Sequence, residues 1–461
     1  MVDDGGESSG EDVEVMRRYS RAQLLALARR PASLALPTAA ALHPALMATI
    51  FPNTVAVDAR ARGQEMQGKE VGLLEAAINE VEGEDLESLL LDLVRRVEAP
   101  REDEGRVASL CSELRRVLAP EFPSVTVEPY GSRASGLGLR TSDLDVFVML
   151  GESREDEEFN TRARMWGAKV RTRKIADLLY SDGSQRFRSA QAILRAKTPI
   201  VRVKDRVSAL WCDLSTSSRM AVVNSAFVRF CCEVEPRARA LLVVVKVLGE
   251  RGGLTGSGRG DHLSSYCLTI LVIFYLQVRG LLHSVAQLQG VQGLQEELIE
   301  GYNFAFCRDL AQLPPLATSP DTVADLLHGF LAYFARFTFG NQAVCPLVGE
   351  PVLTYSLRNG AFLPPSLEAY AAGRARDRLK MDKVMVVQDP FELRRNIGAR
   401  VSPRRLRRLV QVFRRAGRLL AGEVEGQEAR HLLARVLQPQ VGQEKVLKEE
   451  MWEGLEEEEE Q

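Results

Sequence analysis

The stretch Pro129-Tyr-Gly131-Ser132-Arg-Ala-Ser135-Gly-Leu-Gly-Leu-Arg-Thr-Ser-Asp143-Leu-Asp145-Val-Phe-Val-Met-Leu150 places two acids, separated by one leucine, at the mouth of an apolar, β-prone run. Residues at i and i+2 of a strand share a face, so Asp143 and Asp145 are predicted to project together from a strand over Leu144 to Leu150. Two carboxylates side by side on an otherwise apolar strand repel each other and lose hydration unless a cation sits between them. A pair of hard divalent ions, Mg²⁺ or Mn²⁺, suits such oxygen ligands and accepts phosphate oxygens as well. Upstream, Val125-Thr-Val127 opens a strand, and Gly131 and Ser132 are predicted to end it in a tight turn. There, backbone N–H groups and the Ser132 hydroxyl would hold a triphosphate. Gly-Ser turns and Asp-x-Asp pairs are each common, but Gly-Ser followed after about ten residues by Asp-x-Asp running into an apolar strand is much rarer.

A two-metal site needs a third carboxylate from a neighbouring strand. Ile200-Val-Arg-Val-Lys204 and Ser208-Ala-Leu-Trp-Cys-Asp213-Leu-Ser read as a hairpin with a polar turn at Asp205 and Arg206. Asp213 is the lone acid of its second strand. In-line displacement assigns one metal to activating an attacking hydroxyl and the other to the leaving group, with Asp213 on the nucleophile side.

Gly131-Ser132, Asp143-x-Asp145 and Cys212-Asp213-Leu-Ser resemble the three catalytic motifs of the noncanonical poly(A) polymerase and terminal uridylyltransferase family. Arg239 to Lys246, His262-Leu-Ser264-Ser265-Tyr266 and Gln388-Asp-Pro-Phe-Glu392-Leu-Arg-Arg-Asn396 resemble that family's central domain, so the similarity covers about residues 85 to 422. By motif, mitochondrial poly(A) polymerases and speckle-associated uridylyl/adenylyltransferases look nearest. The resemblance implies an α+β protein: a polymerase-β-like nucleotidyltransferase domain, with a mixed sheet flanked by helices, packed against a mainly helical, poly(A)-polymerase-associated domain. It implies template-independent transfer of a nucleotide from ATP or UTP to an RNA 3′ hydroxyl, with pyrophosphate released. Lys246 matches a lysine on the nucleotide phosphates, Asn224 an asparagine at the ribose 2′ hydroxyl, and Ser264, Ser265 and Tyr266 the segment that holds triphosphate and stacks on the base.

Two positions depart from the family. Glu250 stands where a second lysine is common, four residues after Lys246. Arg395 stands where members that prefer UTP often carry a histidine. Arginine offers donors only, and the missing histidine turns the reading toward ATP. The alternatives are a uridylyltransferase and a catalytically inactive RNA or translation-factor adaptor; the presence of all three acids counts against the adaptor.

Composition sets the frame. The chain has 461 residues, 45% of them apolar, enough for two or three domains. Its strongest apolar run, Leu268 to Val278, is about half the ~20 residues a membrane span needs, so no membrane partner is expected. Seven scattered cysteines (111, 212, 231, 232, 267, 307 and 345) show neither zinc-site nor disulfide spacing. The acidic opening lacks the features of a secretory or transit signal, so cytoplasm or nucleus is expected; resemblance to mitochondrial enzymes leaves the mitochondrion open.

The expected organisation is a mostly disordered acidic region (1–68), helices packing on the central domain (69–120), the catalytic domain (121–235), the helical central domain (236–422) and a disordered acidic tail (423–461). Within the first region, Tyr19-Ser-Arg-Ala-Gln-Leu24-Leu25 resembles the peptide by which many proteins dock on the cap-binding translation initiation factor. So short a pattern also recurs by chance.

Ser402-Pro403 reads as the cap and first residue of a helix with Leu406, Leu409, Val410 and Phe413 on one face. Arg404, Arg405, Arg407, Arg408, Arg414, Arg415 and Arg418 occupy its other faces. They form either a solvated surface or a phosphate-contacting RNA strip, chiefly Arg404, Arg407, Arg408, Arg414 and Arg415. A second basic stretch, Arg162 to Lys174 with Arg186 and Arg188, lies between the catalytic strands in sequence.

Overall fold

The computed structural model describes residues 75–438 apart from 101–102, 152–160, 197, 256–260, 361–362, 364, 368–378 and 422–425. From Leu86 the chain forms helices α1 (Leu86–Val97) and α2 (Asp103–Leu118), strand β1 (Thr126–Tyr130), a single helical turn α3 (Gly131–Ala134) and β2 (Leu144–Met149). Then come α4 (Thr161–Ser181), β3 (Phe187–Ile193), β4 (Ile200–Asp205) and β5 (Trp211–Ser215). The remaining helices are α5 (Met220–Val234), α6 (Pro236–Arg251), α7 (Ser265–Val278), α8 (Val285–Gln289), α9 (Val323–Arg336), α10 (Thr354–Asn359), α11 (Pro403–Leu419) and α12 (Gly426–Val436). The fold is the expected α+β class, a mixed sheet flanked by helices.

The five strands pair in the order β1-β2-β5-β4-β3. β2 and β5 run parallel and every other pair is antiparallel. Parallel neighbours need a long crossover, and here α4 with the β3–β4 hairpin supplies it. Alternation then sorts the side chains. Leu144, Val146 and Val148, Val201 and Val203, and Cys212 and Leu214 point into one core with Leu110, Leu114 and Leu118 of α2 and Ile175 and Leu179 of α4. With one face buried, the intervening residues fall on the other. Asp145, Arg202, Lys204, Trp211 and Asp213 therefore share the open face.

The helices expected at 69–120 to cover the central region divide their packing. α1 contacts α6, α9 and α12, whereas α2 lies on β1 and α4. The apolar run in α7 is a buried core helix whose Tyr275 meets Phe330 of α9 edge to face, 5.9 Å between ring centres. Among the described residues, no helix is long and apolar enough to cross a membrane. All seven cysteines are free thiols.

Ser402 caps α11 by accepting the Arg405 N–H at 3.3 Å. Its buried stripe is Leu409, Val412, Phe413 and Ala416, so Val412 takes the core position expected for Val410; that set follows the i, i+3, i+4, i+7 helical spacing. A second correction concerns the C-terminal tail. Its first part forms α12, whose Ala429, Leu432, Leu433 and Val436 are buried. α12 packs on α1 and α11 because its apolar residues recur at three- and four-residue steps. Residues 1–68, including the Tyr19-Leu24-Leu25 peptide, and 439–461 lie outside the described residues.

Candidate active site

Asp145 on β2 stands in register with Asp213 on β5, and Arg202 on β4 is the partner of Asp213 on the far side. Asp143 lies just ahead of β2. The Arg202 guanidinium is ion-paired with Asp143 and lies 3.6 Å from Asp213 Oδ1. The acids predicted from two separated stretches are thus neighbours around one positive group. Arg202 itself was missed. Its only signal in the sequence is a basic residue alternating with Val201 and Val203 in the strand beside Asp213.

Burial pushes the Asp145 carboxyl up to about 7, with further repulsion from Asp213 and Asp143, against the pull of Lys246 and Arg202. Burial likewise raises Asp213 to about 6, Arg202 opposing and Asp143 adding to the rise. Asp143 is raised by burial too, partly offset by Arg202 and Arg133. Three such acids cannot all ionise cheaply without more positive charge. Asp213 Oδ1 is buried and accepts no hydrogen bond. An orphaned carboxylate oxygen within an all-oxygen donor set is what a hard divalent cation satisfies. Among the described residues, no three acidic, cysteine or histidine side chains stand close enough to enclose an ion as they are. The Arg202 guanidinium lies beside both Asp143 and Asp213 and partly offsets their charge.

The expected turn after β1 is the single helical turn α3. Gly131 takes a positive φ of 77° and its N–H donates to Ser225 Oγ at 2.8 Å. A Cβ there would run into the Asp145 carboxyl group, so glycine is required twice over, by backbone and by space. Ser132 follows as the second residue of α3, half-buried. Arg133 fixes the next loop: it pairs with Asp103 at 2.8 Å and donates to the Ser142 carbonyl at 2.7 Å. That clamp holds the backbone leading into Asp143.

Lys246 reaches the same loop, with Nζ 3.4 Å from both the Leu137 carbonyl and Ser142 Oγ. Asn224 lies inside α5, buried, with Oδ1 lacking a partner. Ser264 caps α7 by accepting the Cys267 N–H at 3.1 Å, and Ser265 is the exposed first residue of that helix.

The Tyr266 hydroxyl bonds Asp389 Oδ2 at 3.3 Å. Asp389 is fully buried and also accepts the N–H groups of Phe391 and Glu392, at 3.2 and 3.1 Å. Arg395 pairs with Glu392 at 3.2 Å and lies 3.9 Å from Asp389. Tyr266 and Arg395, far apart in sequence, therefore flank one buried acid that sequence reading did not single out. Phe391 packs edge to face on Phe227 of α5, 5.2 Å away, which ties this cluster to the helix carrying Asn224.

The arginine strip on α11 is only partly outward. Arg408 donates to the Gly252 carbonyl at 3.1 and 3.0 Å, and Arg405 pairs with Asp261 at 3.1 Å, because α11 meets the loop after α6 through its basic side. Arg404, Arg407 and Arg414 are exposed and Arg415 is half-buried. In the other basic stretch, Arg186 pairs with buried Asp205 at 2.8 Å and Lys174 with Glu121 at 2.9 Å, while Arg188 is exposed.

Residues 86–233 match the family model for the central palm domain of mitochondrial-like poly(A) RNA polymerases. The human mitochondrial poly(A) RNA polymerase is 27% identical over 360 residues, covering 74% of this chain and 56% of that protein. The zebrafish speckle targeted PIP5K1A-regulated poly(A) polymerase is 27% identical over 344 residues, covering 66% of this chain and 42% of its own. The chain thus spans about half the length of these relatives. A crystal structure of mtPAP in complex with UTP shares the fold, with a TM-score of 0.64 at 23% identity over 80% of this chain and 75% of that one. Residues 86–233 thus carry a palm domain of the mitochondrial-like poly(A) RNA polymerase type, and the chain as a whole is similar in sequence and fold to mitochondrial and speckle targeted poly(A) polymerases.

Proposed function

We propose that this protein is a template-independent RNA 3′-terminal nucleotidyltransferase with ATP as its preferred nucleotide. The observation that carries the reading is the Asp145–Asp213 register with Asp143 alongside, beside a glycine turn that admits nothing larger than hydrogen next to Asp145. Asp143, Asp145 and Asp213 would hold Mg²⁺ or Mn²⁺, which when bound lowers the pKa of the attacking hydroxyl and neutralises charge on the phosphates. The chain's own groups do the rest. Gly131 and Ser132 approach the triphosphate, with Lys246 as a point charge for it. Asn224 offers its unpartnered Oδ1 to a ribose hydroxyl, and Tyr266, anchored through Asp389, presents a ring to the base. The RNA 3′ hydroxyl releases its proton to solvent as its oxygen forms a bond to the α-phosphorus, the α–β phosphoanhydride bond breaks, and pyrophosphate leaves in line.

Residues 121–235 serve as the catalytic domain and 236–422 as the central domain in this reading, with the exposed arginines of α11 contacting RNA phosphates. Cytoplasm or nucleus is the proposed location; the relatives' names point to mitochondrion and nuclear speckle. Transfer of UMP is the second reading, supported by the fold shared with a cytoplasmic RNA terminal U-transferase (TM-score 0.57 at 20% identity); mtPAP structures hold UTP and ATPγS alike. The test is to sequence the tails added to labelled RNA primers, with all four triphosphates and Mg²⁺ or Mn²⁺, by wild type and Asp145→Ala. Oligo(A) tails lost in the variant support the reading; U tails select the second one, and normal RNA binding without extension selects the adaptor.

A further inference from the structure

The open face of the sheet can be read as a grid. One row across the strands is Asp145 (β2), Asp213 (β5), Arg202 (β4) and Gln191 (β3). The adjacent row is Trp211 (β5), Lys204 (β4) and Arg188 (β3). Charge changes from acidic to basic along the direction β2 to β3. Lys204 Nζ lies 5.6 Å and Arg202 Cζ 5.5 Å from the Trp211 ring centre, so both cations and the indole form one cluster. Arg188 is exposed, and Lys204 and Trp211 are half-buried.

The residues proposed for the triphosphate lie on the opposite flank of the carboxylates. Gly131 and Ser132 follow β1, the far edge of the sheet, and Lys246 reaches the loop before β2. In-line displacement puts the attacking and leaving oxygens on opposite sides of the phosphorus. If the leaving pyrophosphate lies toward β1, the attacking hydroxyl arrives from β4 and β3.

We propose that Trp211, Lys204 and Arg188 form the acceptor-strand subsite, in which Trp211 stacks on a base near the RNA 3′ end and the two cations hold its phosphates. This rests on the nucleotidyltransferase reading and specifies where its second substrate enters. The occupant is a single strand, since a base can reach the indole face only when unpaired. Two phosphate contacts add to the salt dependence of binding by about 0.7 each on a logarithmic slope.

The experiment measures binding and turnover separately. Anisotropy of a labelled 15-nucleotide oligo(A) reports binding to wild type, Lys204→Gln/Arg188→Gln and Trp211→Ala across salt concentrations. The double variant is expected to bind at least about tenfold more weakly with a salt slope smaller by about 1.4. Trp211→Ala is expected to weaken binding about tenfold with its slope unchanged, and Trp211→Phe to restore it. In extension assays the primer KM rises while the nucleotide KM stays within about twofold. Unchanged oligo(A) binding in the variants, or a rise in nucleotide KM instead, overturns the subsite, as does wild type that binds no oligo(A). Wild type that binds but never extends overturns the enzymatic reading alone. Equal melting temperatures across the set separate these outcomes from misfolding.

Discussion

Asp213 faces Asp145 across a parallel strand pair although 68 residues separate them in the chain (213 − 145), and the two carboxyl groups share the open side of the sheet. Like charges so placed are costly in a half-buried site. That cost links metal binding, pH and stability here, and it makes the site testable without an activity assay.

Replacing Asp145 by Asn removes one charge from the trio. Nucleotidyl transfer is expected to fall by about three orders of magnitude or more, as one ligand of the proposed metal pair is lost. Protein in EDTA is expected to become more stable, by about 1 °C in melting temperature for each kcal/mol of repulsion relieved. Thermal melts in EDTA beside a primer-extension assay read both signs; a variant melting lower than wild type in EDTA counts against the repulsion argument.

The raised carboxyls also set a pH dependence. A group whose pKa is higher folded than unfolded contributes stability that is full below the ordinary value of 3.8 and lost as pH rises through the folded value, about 7 for Asp145. For Asp213 the loss runs up to about 6. In EDTA the melting temperature is therefore expected to decline between pH 5 and 8 by an amount that Asp145→Asn reduces. Added Mn²⁺ should stabilise more at pH 8 than at pH 5, since binding displaces protons. A flat profile in EDTA, or equal Mn²⁺ stabilisation at both pH values, contradicts this.

The Arg202 guanidinium is ion-paired with Asp143 and lies 3.6 Å from Asp213 Oδ1, so it competes with any cation these acids would bind. Arg202→Gln is expected to lower the melting temperature in EDTA and to bind Mn²⁺ several-fold more tightly, because the ion no longer displaces a guanidinium. Titration calorimetry with Mn²⁺ decides. Weaker binding in the variant shows instead that Arg202 organises the ligands for the ion.

Tyr266 combines an apolar ring with a hydroxyl bonded to a buried acid. Tyr266→Phe is expected to cost about 1 kcal/mol of stability, the net worth of a hydrogen bond, or more if Asp389 lacks a substitute partner. Tyr266→Ala also removes the stacking surface and is expected to raise the nucleotide KM about tenfold. Steady-state kinetics and chemical denaturation separate the two effects. Equal nucleotide KM values in the Phe and Ala variants rule out the stacking role.

Much of this is written in the local pattern of the sequence. Strand β2 with its two acids, the β4–β5 hairpin with Asp213, helix α2 and the Ser402 cap follow from period-two and period-3.6 patterning and from cap chemistry, all local properties of the chain. The helix at Gly426–Val436 carried its own apolar spacing, but adjacent acidic residues hid it.

The amino-acid sequence by itself determined which residues are acids on strands, which faces are apolar and where the strand before Gly131 turns, since each depends on neighbours a few positions away. Only the tertiary structure decided the register that sets Asp145 against Asp213, the entry of Arg202 between Asp143 and Asp213, the burial of Asp389 beneath Tyr266, and the inward use of Arg408. The physical reason is that each of these joins segments far apart in the chain. Such contacts are chosen by how whole faces pack together, and no local pattern records that choice.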